Sequence, residues 1–245
     1  SSPVDFVVLR VRPYEPAVNL CNANYYNGST PFRNLVLGCG WRAKNAYFDQ
    51  AYVAPPGMTP NPASEIAAAD IGMGVDMVPT QMPPLGGPLV MIMPSIVPKE
   101  GWYRVQMPAG AARPTLSGNL PAPYRLWDDA ANDQANGRYR LWLSSPPVDS
   151  GYLGWLQFNA IPPGGRLEIS IIHEDDLDDP RLLNSAMRRD IQHAAWLRPM
   201  TPANTNGISP AELTYRVPGT AQMYPNNSTG WPIEAIVRMA NEERK

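Results

Sequence analysis

The chain has 245 residues, 44% of them hydrophobic and only 17% charged, with a net charge of −2. That length suits one large β-sandwich or barrel, or two small domains, the near-neutral balance excludes a whole-chain electrostatic pull towards nucleic acid, and the charged fraction is below the roughly one quarter usual for soluble domains. With 7 Trp, 11 Tyr and 11 Met, and arginine at every basic position except Lys44, Lys99 and Lys245, the composition is that of surfaces covered by other protein; the plainer alternative is a monomer with a Trp-rich core.

The 29 Pro and 19 Gly are scattered between short apolar runs, which forbids long helices over most of the length and leaves short strands joined by long loops. Residues 6–12 alternate as a strand and are stopped by Pro13. A second strand is expected over 34–41 through Leu35, Val36 and Leu37, and a third over 46–53. Residues 54–88 form a Pro-rich connection in which 65–70 reads as a helical turn or two. The run 88–93 is continuously apolar between prolines, which suits a strand covered on both faces. Residues 102–107, 124–127 and 138–143 are further short strands.

The strongest local pattern follows. Residues 152–159 and 166–173 are two strand-like runs separated by a turn rich in Pro and Gly. In the second, Leu167, Ile169 and Ile171 fall on one face and Glu168 and Ser170 on the other, the period of a sheet with one buried side. The two runs are expected to pair as a hairpin. Beyond them a helix is expected over 180–197, where Leu183, Met187, Ile191 and Ala194 recur at helical spacing and Pro180 suits a first turn. Residues 198–230 read as an extended arm, and Ile233, Ile236, Val237 and Ala240 as a short closing helix. No repeat is evident.

Recognisable chemistry is sparse. The two histidines, His173 and His193, are too few for a three-His metal site. No nucleophile elbow, Walker loop or dinucleotide fingerprint is present, and Gly72 with Gly74 alone does not make a phosphate loop. Cys21 and Cys39 are too few for a disulfide framework and read as buried thiols. Asn27-Gly28-Ser29 and Asn227-Ser228-Thr229 fit the N-glycosylation pattern, which matters only in a secreted protein. No apolar run reaches the length of a membrane span and no leader opens the chain, so it is expected to be soluble.

The one crowded constellation is Asp175, Asp176, Asp178 and Asp179, after His173 and Glu174. Carboxylates so close repel unless solvated or neutralised, so water, a hard cation or an arginine of a neighbouring chain must share them. The spacing is not that of an EF-hand. A solvated acidic turn leads, a cation or intersubunit arginine site comes second, and catalysis last. The seven Trp residues, Trp41, Trp102, Trp127, Trp142, Trp155, Trp196 and Trp231, offer a rival function, stacking on sugars, but most lie inside strand-like runs where a core role is favoured.

Taken together, the short strands, the Pro-rich connections, the run 88–98 and above all residues 151–177 resemble the major capsid proteins of picornavirus-like (Picornavirales) positive-strand RNA viruses. In that family the last two strands of the fold read as a Gly- or aromatic-led strand, a Pro-containing turn and an alternating strand ending in an acidic pair. The resemblance spans 1–178 in outline and is sharp over 151–177. It implies an all-β, eight-stranded jelly-roll β-sandwich with long Pro-rich loops and an extended C-terminal arm. Residues 1–178 are then the jelly-roll domain and 179–245 a helix-plus-arm extension packing on it or on a neighbouring subunit.

The implied function is structural: a non-enzymatic capsid protein of an icosahedral virus, assembled in the host cytoplasm into the virion. Its partners are copies or related capsid subunits, with genomic RNA on the inner face and a host receptor outside, and no cofactor or metal is implied. Asp175-Asp176-Leu177 matches the two acids of the Asp-Asp-Phe found near a maturation cleavage in some insect-infecting members, with Leu in place of Phe. No basic N-terminal arm is present to hold RNA. A secreted carbohydrate-binding (lectin-like) β-sandwich is the alternative, and a hydrolase on a β-scaffold a third reading; a cupin would need more histidines.

Overall fold

A computed structural model describes residues 30–94, 96–118, 122–145, 154–194, 219–224 and 232–243, and the backbone of 17–19 and 196–198. The chain is all-β in architecture, with ten strands in two sheets and two α-helices among the described residues. A separate parallel pair joins β1 (Ala17–Asn19) to β12 (Trp196–Arg198). The expected strand over 6–12, most of the 198–230 arm, Cys21 and both glycosylation triplets lie outside the described residues.

One sheet is ordered β4 (Glu65–Ile66), β3 (Ala51–Val53), β2 (Gly40–Ala43), β5 (Leu89–Met93), β10 (Gly154–Phe158), β7 (Thr115–Gly118). Its pairings are antiparallel except β3 with β4. The other is β11 (Ser170–His173), β6 (Gly101–Gln106), β9 (Arg138–Leu143), β8 (Arg125–Trp127), antiparallel throughout. A single antiparallel bridge from Asn34 to Ile172 extends this second sheet beyond β11.

The alternation seen in the sequence becomes the two faces of each layer. Leu89, Met91 and Met93 of β5 and Leu156 and Phe158 of β10 share one core with Tyr103 and Val105 of β6, Tyr139, Leu141 and Leu143 of β9, and Ile171 of β11. Fully burying each such aliphatic side chain contributes about 1.5–3 kcal/mol. Every residue of β5 is buried, Val90 and Ile92 on the opposite face included, which accounts for its unbroken apolar run.

Several expectations are corrected. The two runs 152–159 and 166–173 do not form a hairpin, because β10 pairs with β5 and β7 whereas β11 pairs with β6 in the other sheet. Between them the backbone is bonded elsewhere: Leu167 N–H donates to Pro79 O at 2.9 Å and Ile169 N–H to the Gln222 side chain at 2.8 Å. The second strand survives only at Gly40 and Trp41, in β2, because Leu35–Gly38 is a 3-10 turn capped by Asn34, whose Oδ1 accepts from Val36 N–H. The third strand shrinks to β3 because Asn45 Oδ1 accepts from the Tyr47 and Phe48 N–H groups and turns the chain there. Residues 65–70 divide between β4 and a 3-10 turn, Ala68–Ile71.

The first helix, α1 (Ser185–Ile191), starts after Asn184 and not near Pro180. Asn184 Oδ1 accepts from Met187 N–H at 2.7 Å while its Nδ2 donates to Pro31 O at 2.8 Å, so the cap also ties the helix to the start of the sandwich. Leu183 bridges Phe32 instead of opening the helix. The second helix, α2 (Ile233–Glu243), lies where the closing periodicity falls. Ala235 and Met239 of α2, with Met223 and Tyr224, belong to the same core as the sheets, and Tyr224 meets Phe32 edge to face at 5.3 Å. Residues of 219–224 and of α2 therefore share one core with the two sheets.

Candidate functional site

β11 carries its alternation to His173 and ends there, and the next three residues, Glu174–Asp176, coil into a 3-10 turn. His173 is its N-cap: Nδ1 accepts from Asp175 N–H at 3.1 Å. This turn and Asp178 and Asp179 form the acidic corner singled out from the sequence.

Cations of the same chain hold that corner. Glu174 is gripped by Arg140, with Nε to Oε1 at 2.7 Å and Nη2 to Oε2 at 2.8 Å, while Arg140 Nη1 reaches Asp128 at 3.1 Å. Asp175 pairs with Lys99 at 2.5 Å. Asp176 is only 3% exposed, and its Oδ2 accepts from Ser185 N–H at the start of α1. Arg33 donates to the carbonyls of Asp176 and Leu177 at 3.2 Å each. Asp179 pairs with Arg181 at 2.9 Å and with Arg188. Asp178 is exposed.

The pairings set the charge states. Arg140 holds the Glu174 carboxyl below the usual range, and Lys99 does the same for Asp175. Arg181 draws Asp179 down to about 2. Burial first, then Lys99, lower the pKa of His173. Among the described residues no group of three or more His, Cys, Asp or Glu is arranged to hold a metal ion. The partners Lys99, Arg33, Arg140 and Arg188 went unnoticed in the sequence because three come from segments far from the acids. Of these four only Arg188 lies close by in the sequence.

The other candidates offer little chemistry. Cys39 is buried, its thiol pushed far up by burial, and Sγ donates to Leu35 O at 3.3 Å, an inert arrangement. His193 is exposed beside Gln192. A cleft of about 530 Å3 opens between the 76–78, 106–108, 166–170 and 220–222 segments. Its charged and amide side chains are engaged with one another or with the backbone, Arg166 with Asp76 and Glu168, and Gln222 with Ile169 and Leu167.

The tryptophans divide by face. Trp41 is 3% exposed in the core, as a core role requires, and meets Phe158 edge to face at 5.7 Å. Trp102, Trp127, Trp142 and Trp155 are only half-buried. Trp102 and Trp142 stand opposite one another on the outer face of the four-stranded sheet, rings edge to face at 5.3 Å. Leu126, 46% exposed, is the cross-strand neighbour of Trp142, and Arg104, exposed, is that of Arg140. The Arg140 guanidinium lies 4.4 Å from the centre of the Trp102 ring. This face is a mixed aromatic and arginine surface, the composition of protein–protein contacts.

No protein-family model matches the chain, and neither a curated protein nor a solved structure shows significant similarity to it.

Proposed function

We propose that the chain is a jelly-roll capsid subunit of a picornavirus-like virus, a structural and non-enzymatic protein that packs with copies or related subunits into an icosahedral shell around genomic RNA. The strand order carries this reading. With the Asn34 bridge counted as the first strand and β5 to β11 as the second to eighth, one layer runs first, eighth, third, sixth and the other second, seventh, fourth. These seven positions agree with the order expected of a jelly roll, whose last two strands belong to opposite layers, and so support the reading. The fifth strand, β8, departs from it by pairing with the sixth, β9, and not with the fourth, β7. The insertion β2 to β4 widens the sheet beside β5.

Jelly rolls also serve lectins, so the function leans on the surface and on the resemblance of residues 151–177. The outer face with Trp102, Trp142, Leu126 and Arg104 suits burial against a neighbour, and a shell needs several such contacts of about 1,000–2,000 Å2 each. Negative-stain micrographs of native material containing the chain should contain closed particles with sister chains and nuclease-protected RNA. Material holding the chain only as a free small protein would contradict the proposal.

A sugar-binding module is the second reading, favoured by the outward, half-exposed Trp102, Trp142 and Trp155. Against it, Trp102 is already covered by Arg140, and Arg42 lies 6.0 Å from the Trp155 ring. Retention on immobilised glycans, released by free sugar, would favour this reading over the shell.

A further inference from the structure

His173 is 7% exposed and closes the end of β11 against three pieces of chain. Its Nδ1 accepts the Asp175 N–H, and its Nε2 faces Glu100 O at 3.4 Å. A ring nitrogen that accepts has a free lone pair and no proton, so this geometry requires the neutral ring with its proton on Nε2. Gly101 makes room for it: at φ +146° a Cβ there would fall 2.5 Å from Nε2. Tyr103 meets the ring edge to face at 5.0 Å, and its hydroxyl donates to Lys99 O.

The charged and titratable groups facing the ring are Lys99 from the segment before β6, Tyr103 from β6, and Glu174, Asp175 and Asp176 from the turn. Burial pushes the Tyr103 hydroxyl up, so it stays protonated, and Lys99 and Asp175 already satisfy one another.

We propose that His173 is a proton-operated latch: neutral, it caps the turn after β11, and protonated, it releases that turn together with the anchor of α1. Adding a proton to Nδ1 turns the acceptor into a donor facing the Asp175 N–H, also a donor, and the cap is lost. The new Nδ1–H must turn towards the Asp175 carboxylate, whose Oδ2 lies 3.8 Å away and is already held by Lys99. The turn carries Asp176, which accepts from Ser185 N–H, so the first turn of α1 loosens with it. The latch belongs to the fold and does not depend on the shell reading.

The sign follows from burial and Lys99, which disfavour the charged ring in the folded chain. The cap is intact above the ordinary histidine value of about 6.5 and weakens as pH falls below it through the lower folded value. Glu174 and Asp175 are held below the usual carboxylate range by Arg140 and Lys99.

Nitrogen-15 NMR of the full chain at pH 8 should find His173 protonated at Nε2 alone; a ring protonated at Nδ1 would overturn the latch. Hydrogen exchange, corrected for intrinsic rates, should lose at least tenfold protection at Asp175 and at Ser185 to Arg188 between pH 7.5 and a pH at which the same nitrogen-15 spectra show the His173 ring protonated. His173→Asn, whose side-chain oxygen caps without titrating, should keep that protection, while His193→Asn should behave as the native chain. Equal losses in the native chain and His173→Asn would overturn the proposal. Should His173→Asn fail to fold, the tautomer decides alone.

Discussion

Arg140 and Glu174, one in the middle of β9 and the other just past the end of β11, meet as a two-point ion pair across the strand that separates them, β6. The pair links three strands of one layer to the corner from which the chain leaves for α1. Each partner is about one third exposed, so solvent screening reduces the strength of a charge-assisted pair. A double-mutant cycle with Arg140→Ala and Glu174→Ala, read by denaturant unfolding, should give a coupling of about 1 kcal/mol. Simple additivity would mean the pair contributes nothing to the fold.

Leu156 stands at the centre of β10, fully buried, opposite Met91 of β5 and Leu116 of β7. Truncation removes methyl groups where the two layers meet and leaves a cavity. Leu156→Ala should lower unfolding free energy by about 2–5 kcal/mol. A loss under about 1 kcal/mol, in the range of surface sites, would argue against a closed core at this position.

Gly137 begins the turn into β9 with φ +64°. A Cβ there would lie 2.3 Å from Met107 O and 2.4 Å from Pro108 O, both backbone atoms that cannot swing aside. Gly137→Ala should cost more than about 2 kcal/mol in chemical denaturation. An unchanged midpoint would mean that the β6 to β9 end is packed differently.

Asp179 gives the acid limb its sign. Arg181 and Arg188 depress its folded pKa to about 2. The stability it contributes is therefore full above the unfolded value of about 3.9 and is lost as pH falls from there through the folded value. After allowance for screening this amounts to about 1 kcal/mol. Stability curves of the native chain and Asp179→Asn should differ by that amount at pH 6 and converge near pH 2, whereas a constant gap would deny the linkage.

On the outer face of the four-stranded sheet, Arg104→Glu with Leu126→Glu alters exposed positions only. The melting transition should move by less than about 0.5 kcal/mol in free energy, while any particle yield falls at least tenfold. Normal yield would place the shell contacts on another face.

The sequence made individual strands legible wherever burial repeats along the chain. β5 stood out because both its faces are covered, and β6, β9 and β11 because Tyr103, Val105, Tyr139, Leu141 and Ile171 alternate with outward residues. β7 escaped because Thr115, Ser117 and Gly118 carry no apolar period. Pairing was harder than existence: residues 162–165 look like a hairpin turn, yet whether a strand returns beside its neighbour or crosses to the other layer depends on Pro79 and Gln222, both remote. The 35–37 run misled because Leu35 and Val36 are buried in a turn that Asn34 closes. The acidic corner was visible as a repulsion problem, but its solution sits in Lys99, Arg140 and Arg33, which only the folded chain brings near.

Sedimentation velocity of the freshly purified native protein across a wide concentration range bears most directly on the shell reading. Closed assemblies with related chains should sediment far faster than one chain and persist on dilution. A single slow boundary of the isolated chain at every concentration, in material never taken apart, would contradict it.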